Sequence, residues 1–107
     1  MSFSLEILPA TAIADQNQAA RRAAINAECR RRILALLDQT AQLNLAADAA
    51  AGRLHRADKA AYRASLAWRD AMRARAGELD ADGQADFTAD AAWPAPGAPV
   101  TELAARF

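Results

Sequence analysis

Between Asp15 and Leu79 the chain has no proline, and its only glycines there are Gly52 and Gly77. All four prolines lie outside this stretch, which is rich in alanine, leucine and arginine and also contains some glutamine and glutamate. Proline and glycine are the residues least compatible with a helix interior, whereas the abundant residues are strong helix formers. The absence therefore predicts a largely helical body over 15–79, between two tails of different composition.

Cysteine and histidine are equally scarce, with one of each in 107 residues. Cys29 alone cannot form an internal disulfide, and its place on the apolar side of the predicted helix favours a small core residue over a nucleophile. His55 has no ligands at metal-binding spacing and is interpreted as an exposed turn residue. The sequence shows no phosphate-binding loop, nucleophilic triad or paired-carboxylate pattern. We therefore expect no enzyme activity, no cofactor and no metal.

Long apolar runs are also missing, since no stretch approaches the ~20 apolar residues of a membrane-spanning helix. The N-terminus has neither the basic start nor the apolar region of a signal peptide, so we expect a cytoplasmic origin without membrane contact. Alanine supplies 32 of the 107 residues. Alanine buries little apolar surface, and each Å² buried contributes only about 25 cal/mol, so a core of alanine stabilises the fold weakly. A lone hairpin of this composition should be marginally stable, with partner surfaces completing the burial.

Charge is balanced overall but unevenly distributed. Residues 15–79 carry 12 basic and 7 acidic side chains, a net charge of +5, and residues 80–107 carry five acids and Arg106, a net charge of −4. This asymmetry predicts that the acidic tail packs on a basic body, either its own or a neighbour's. Basic residues alternate with acids around the helix, so nucleic-acid binding is the weaker hypothesis.

The predicted fold class is all-α, a long antiparallel helical hairpin with extended arms at both ends. The first helix should cover about 12–51 and end at Gly52, because glycine readily takes the left-handed conformation that follows a helix. The second should cover about 57–79. A break within 38–44, where polar residues cluster, stays open as the alternative. The expected organisation is an N-terminal docking arm (1–10), a hairpin (11–79) and an acidic, proline-containing C-terminal arm (80–107).

Apolar residues at helical spacing form a seam along both helices. We predict that this seam drives self-association, with a trimer favoured. At 1.5 Å per residue the first helix would span about 57 Å and the second about 33 Å, leaving an uncovered overhang that carries Ile25 and Cys29. The predicted seam comprises Ile25, Cys29, Ile33, Leu36, Leu43, Leu54, Ala61, Trp68 and Met72.

Three further groups of residues are predicted to dock partners. Near the N-terminus, apolar residues alternate with polar ones, which is typical either of a strand added to another chain's sheet or of a disordered leader. A second stripe on the second helix implies a second packing neighbour. An aromatic residue beside prolines on an extended arm is a candidate anchor in a partner's pocket. The predicted docking residues are Phe3, Leu5, Ile7, Tyr62, Leu66, Trp93 and Pro94.

Several blocks of sequence resemble a known class of proteins. Ile25-Asn26-Ala27-Glu28-Cys29-Arg30-Arg31-Arg32-Ile33, Gln42-Leu43-Asn44-Leu45 and Ala60-Ala61-Tyr62 with Leu66-Ala67-Trp68 and Ala71-Met72 are similar to a helical segment in small tail proteins of tailed bacteriophages. The chain also resembles the C-terminal part of phage tail-fibre assembly proteins, which often close with a Trp-Pro-x-x-Pro-like end; here that end reads Trp93-Pro94-Ala95-Pro96. The similarity covers about 20–96.

The resemblance implies a non-enzymatic protein located in the virion, in contact with tail, baseplate or fibre subunits and without a cofactor. The first alternative is a tail-fibre assembly chaperone that is not retained in the particle. The second is a small nucleic-acid-binding regulator.

Overall fold

The computed structural model describes residues 10–107, which form four α-helices and no strand. This confirms the all-α prediction. The molecule measures 70 × 28 × 17 Å and is therefore elongated. The helices are α1 (Ala10–Leu36), α2 (Gln39–Ala50), α3 (Arg56–Ala81) and α4 (Ala98–Arg106), with a single 3-10 turn at Asp90–Ala92.

The predicted first helix is interrupted at Asp38, so the continuous helix over 12–51 was wrong and the alternative break was right. Asp38 has an extended backbone (φ −66°, ψ 172°), and its carboxylate accepts a hydrogen bond from the Ala41 amide at 2.7 Å, capping α2. The Gln42 side-chain amide donates to the Leu37 carbonyl at 2.8 Å, which satisfies the end of α1. The bend places Leu37, Ala41 and Leu45 in one core.

Gly52 ends α2 as predicted. Its φ of 70° is left-handed, and its amide donates to the Ala49 carbonyl at 3.2 Å while the Arg53 amide donates to the Asp48 carbonyl at 2.9 Å. This pair of bonds is the Schellman arrangement, which only a residue tolerant of positive φ completes without strain. The turn then leads into α3, which begins one residue before its predicted start and ends two residues after its predicted end.

Helices α1 and α3 are antiparallel and bury one apolar face each against the other. The contributing residues of α1 are Ile25, Cys29 and Ile33, and those of α3 include Met72, Ala76 and Leu79. The ion pair between Arg22 and Asp80 (2.9 Å) marks where α3 ends beside α1.

The position of that ion pair corrects the predicted overhang. Ile25 and Cys29 are buried against α3, and the part of α1 that α3 does not cover is residues 10–20, a length of about 16 Å. Its most apolar exposed side chain is Ile13, 45% exposed.

The C-terminal region is not an extended arm throughout, because residues 98–106 form α4. Gly97 (φ 83°) precedes the helix, and Pro99 occupies its first turn, where the missing amide hydrogen would have no helical partner. Val100 and Leu103 are buried, and α4 packs on the N-terminal half of α3. Small side chains permit this approach on α3, namely Ala57, Ala60, Ala61 and Ala64.

Candidate functional site

The α1–α3 pair has a groove along each side. One groove is partly covered by residues 82–97, the segment between α3 and α4, which we call the strap; a cavity of about 500 Å³ remains between the strap and the helices. The other is not covered by any segment within residues 10–107 and is called the open groove. Arg32 of α1 lies on the strap side, whereas Arg30 lies on the open side. The two grooves share the apolar seam as a common floor.

Two aromatic side chains anchor the strap. Trp93 is only 7% exposed, and the Arg32 guanidinium lies 5.8 Å from the centre of its ring. The Arg21 guanidinium lies 5.2 Å from the centre of the Phe87 ring in the same way. Contacts of this kind combine apolar burial with cation–π attraction. The expected role of Trp93 as an anchor in a partner's pocket is therefore corrected: its indole fills a pocket of its own chain.

Hydrogen bonds from side chains to its backbone carbonyls hold the strap in place, because apart from the 3-10 turn the strap forms no regular secondary structure. The Trp68 indole donates to the Pro94 carbonyl at 3.0 Å, and Arg75 donates to the Ala92 carbonyl at 2.7 Å. The Trp93 indole donates to the Phe87 carbonyl at 2.7 Å. Partly buried carbonyls need such donors, so the bonds from Trp68 and Arg75 of α3 determine where the strap lies, and the bond from Trp93 stabilises its internal conformation. Pro94 is half-buried beside them.

Charge reinforces this placement. Arg32 donates to the Asp90 carboxylate at 2.9 Å and to the Thr88 carbonyl at 3.0 Å. Arg21 donates to the Ala85 carbonyl at 2.9 Å. The acidic tail therefore packs on the basic body of its own chain, which decides between the two possibilities that the charge asymmetry left open. Of the three consecutive arginines Arg30, Arg31 and Arg32, only Arg32 donates hydrogen bonds to the strap.

Glu28 orients the arginines next to the strap. Its carboxylate accepts hydrogen bonds from Arg31 at 2.6 Å and from Arg32 at 2.9 Å. The bond from Arg31 is the largest cause that lowers the pKa of Glu28 from 4.5 to about 2, with Arg32 contributing and partial desolvation opposing. Glu28 is thus ionised across the physiological range and holds Arg32 towards Asp90.

The open groove has an apolar floor and a cationic rim, with a cavity volume of about 510 Å³. Arg30 of α1 and Arg73 of α3 form opposite rims, and none of the carboxylates within residues 10–107 lines the groove. Cys29 lies in the floor; burial is the main cause that raises the pKa of its thiol, with Arg73 opposing, which disfavours the reactive thiolate. The lining residues are Asn26, Cys29, Arg30, Ile33, Leu34, Gln42, Arg73 and Ala76.

Gln42 closes one end of the open groove. Its side-chain oxygen accepts a hydrogen bond from Arg69 at 2.7 Å, which links α2 to α3. Gln42 therefore helps to fix the position of α2 relative to α3, whereas Gln39 and Asn44 are exposed. The Nε atom of Arg69 is buried and has no hydrogen-bond acceptor within residues 10–107.

Most residues of the predicted seam pack against each other within a single chain. Seven of its members are buried in the intramolecular core, so they are not available for self-association in this conformation: Ile25, Cys29, Ile33, Leu54, Ala61, Trp68 and Met72. Leu36 is half-buried, and Leu43 is 67% exposed on the outer face of α2.

The predicted docking residues are scattered. Leu66 is 39% exposed and, with half-buried Tyr62, borders a shallow depression on α3. Phe3, Leu5 and Ile7 lie outside the described residues.

Sequence reasoning missed both the clamp formed by Arg21, Arg32 and Arg75 and the open groove. The charge asymmetry was the one signal for the clamp. For the open groove no signal exists, because Arg30 and Arg73 are distant in sequence.

Within residues 10–107 there is no group of three or more potential metal ligands, and none of the helices there is long and apolar enough to cross a membrane. Comparisons with protein families, curated proteins and solved structures found no significant match.

Proposed function

We propose that this chain is a non-enzymatic structural subunit of a phage or phage-like particle, located in the tail, baseplate or fibre region. The observation that carries the proposal is the shape of the molecule together with its uncovered surfaces. Its radius of gyration is 19.2 Å, whereas a compact chain of this length would have about 13 Å. An elongated protein of this kind exposes a large contact area relative to its core. The resemblance of residues 20–96 to small tail proteins of tailed bacteriophages supports placing the chain in a phage particle.

Three uncovered surfaces would contact neighbouring subunits. The first is the overhang of α1 (10–20) with Ile13, which continues from the N-terminal segment carrying Phe3, Leu5 and Ile7. The second is the open groove. The third is the exposed apolar edge that includes Leu43 of α2. Self-association, with a trimer favoured, would proceed through the overhang and Leu43, because the remaining seam is occupied within the chain.

An assembly chaperone is the second candidate, and the open groove favours it because a groove left uncovered within residues 10–107 could hold a fibre segment transiently. The two functions differ in where the protein ends up. A structural subunit is retained in the finished particle, whereas a chaperone leaves it.

Mass spectrometry of purified particles from the host that encodes the chain separates these functions. Detection at a constant ratio to known tail proteins is the expected result. Absence from particles, with recovery of the chain bound to fibre protein in lysates, would establish the chaperone instead. Absence from both would overturn the proposal.

The N-terminal segment provides a second test. Deleting residues 1–9 should prevent incorporation while leaving helicity at 222 nm unchanged, because α1 begins at Ala10. The matched control carries the same nine residues in scrambled order. Normal incorporation of the deletion variant would exclude a docking role for this segment.

A further inference from the structure

We propose that the open groove binds an acidic segment of a partner protein that carries one apolar anchor side chain. This inference rests on the proposed function, because it names the chemistry of a partner that a docking subunit would contact.

The groove on the strap side shows how this helical pair holds such a segment. There, arginines of α1 and α3 hold an acidic stretch by ion pairs and by bonds to its carbonyls, while two aromatic anchors cover the apolar floor. The open groove repeats these components on the other side of the same pair. Its floor is Cys29, Ile33 and Ala76, and its rims are Arg30 and Arg73.

Within residues 10–107 the charge of the open groove is at most weakly neutralised. Ion pairs among residues 10–107 engage Arg31 and Arg32 but not Arg30. Arg73 pairs with Asp70 at 3.2 Å, but both side chains are largely exposed, so the attraction is weak. A groove with cationic rims, lined by none of the carboxylates within residues 10–107, is complementary to an acidic ligand.

The dimensions of the groove limit what it can hold. It lies between the Arg22–Asp80 ion pair at one end and the Arg69–Gln42 hydrogen bond at the other. From Arg22 to Leu34 α1 rises about 18 Å, which matches roughly five residues of extended chain at 3.3 Å each. Two carboxylates flanking one apolar side chain would therefore reach both rims and the floor.

Fluorescence polarisation of a labelled peptide tests this directly. The probe is Asp-Phe-Thr-Ala-Asp-Ala-Ala-Trp, which copies the acidic and aromatic pattern of the strap (86–93), titrated with the full chain. We expect saturable binding that weakens about tenfold in the Arg30→Glu/Arg73→Glu variant, since two attractive pairs become repulsive. The matched control, Arg56→Glu/Arg63→Glu, makes the same charge change at exposed sites of α3 away from the groove and should bind like the wild type. A peptide with both aspartates changed to lysine should also bind about tenfold more weakly.

Three results would overturn the inference. The first is no saturable binding at about 1 mM chain. The second is equal loss in both double variants, because that would mean only general charge attraction. The third is stronger binding of a labelled eight-nucleotide single-stranded DNA than of the peptide, which would assign the groove to nucleic acid. Circular dichroism of both variants confirms that they are folded. The outcome is separable from the proposed function, because the chain can be present in particles without peptide binding, or bind peptide and be absent from particles.

Discussion

Replacing Trp93 with alanine tests whether the strap is part of the folded core. The indole is almost fully buried and covers the floor formed with Trp68 and Met72. Truncating a buried aromatic residue to alanine costs about 3–5 kcal/mol. The variant also loses the hydrogen bond to the Phe87 carbonyl and the contact with Arg32, although water can reach the exposed strap and replace part of both. We expect a net loss of about 3 kcal/mol in the free energy of unfolding.

Such a loss is large compared with the total stability of a small domain, which is about 5–15 kcal/mol. At about 4–8 °C per kcal/mol, the Trp93→Ala variant should melt about 12–24 °C lower than the wild type. Thermal unfolding followed by circular dichroism at 222 nm measures this. Chymotrypsin cleavage after Phe87 should also accelerate, because the strap loses its main anchor.

Two comparison variants make the test specific. Trp93→Phe keeps most of the buried ring but loses the indole donor, so it should cost about 1 kcal/mol. Leu43→Ala removes a side chain that is mostly exposed, so it should change stability by less than about 0.5 kcal/mol. If Trp93→Ala behaves like Leu43→Ala, the strap does not contribute to the core of its own chain, and the tail is an extended arm of the kind predicted from the sequence.

Three further predictions concern α1 and its junction with α2. Asp38→Ala should lower the free energy of unfolding in urea by about 1 kcal/mol, because α2 loses its cap, whereas Asp38→Asn should retain most of it; equal losses would show that the cap bond is not the cause. Glu28 has its pKa lowered to about 2 in the folded chain, so its stabilising effect is complete above its ordinary pKa of about 4.5 and is lost as the pH falls towards 2. The stability difference between wild type and Glu28→Gln, about 1 kcal/mol at neutral pH after solvent screening, should therefore shrink over that range, and a difference that persists at pH 2 would contradict this origin. The Cys29 thiol should react with a disulfide reagent about 100-fold more slowly in the native chain than in urea, since Cys29 is only 6% exposed at the floor of the open groove; equal rates would mean that α1 and α3 do not pack as described.

Local features of the fold were predictable where the backbone itself decides them. The lack of proline and glycine in the body predicts helix, and Gly52 predicts the end of α2, because both depend on the allowed conformations of single residues. The break at Asp38 was only one of two possibilities. A continuous helix and an interrupted one satisfy local propensity about equally, and the burial of Leu37 and Leu45 in a common core favours the interrupted form.

Helix α4 was missed for a related reason. Pro99 was interpreted as a marker of extended chain, although proline is equally compatible with the first turn of a helix. The spacing of Val100, Leu103 and Ala104 is helical, but in a short segment it becomes decisive only when α3 offers a surface of alanines to pack against.

By itself, the sequence determined that the protein is helical, that its body is basic and its tail acidic, and that Trp93 is an anchor. The tertiary structure decided that Trp93 anchors the strap to its own chain, because an apolar side chain gains the same burial from its own chain as from a partner. It also decided where the cationic groove lies. Arg30 and Arg73 become opposite rims of one groove only when α1 and α3 pack antiparallel, and the strap, held by Arg21, Arg32 and Arg75, covers one side of that pair and leaves the other open.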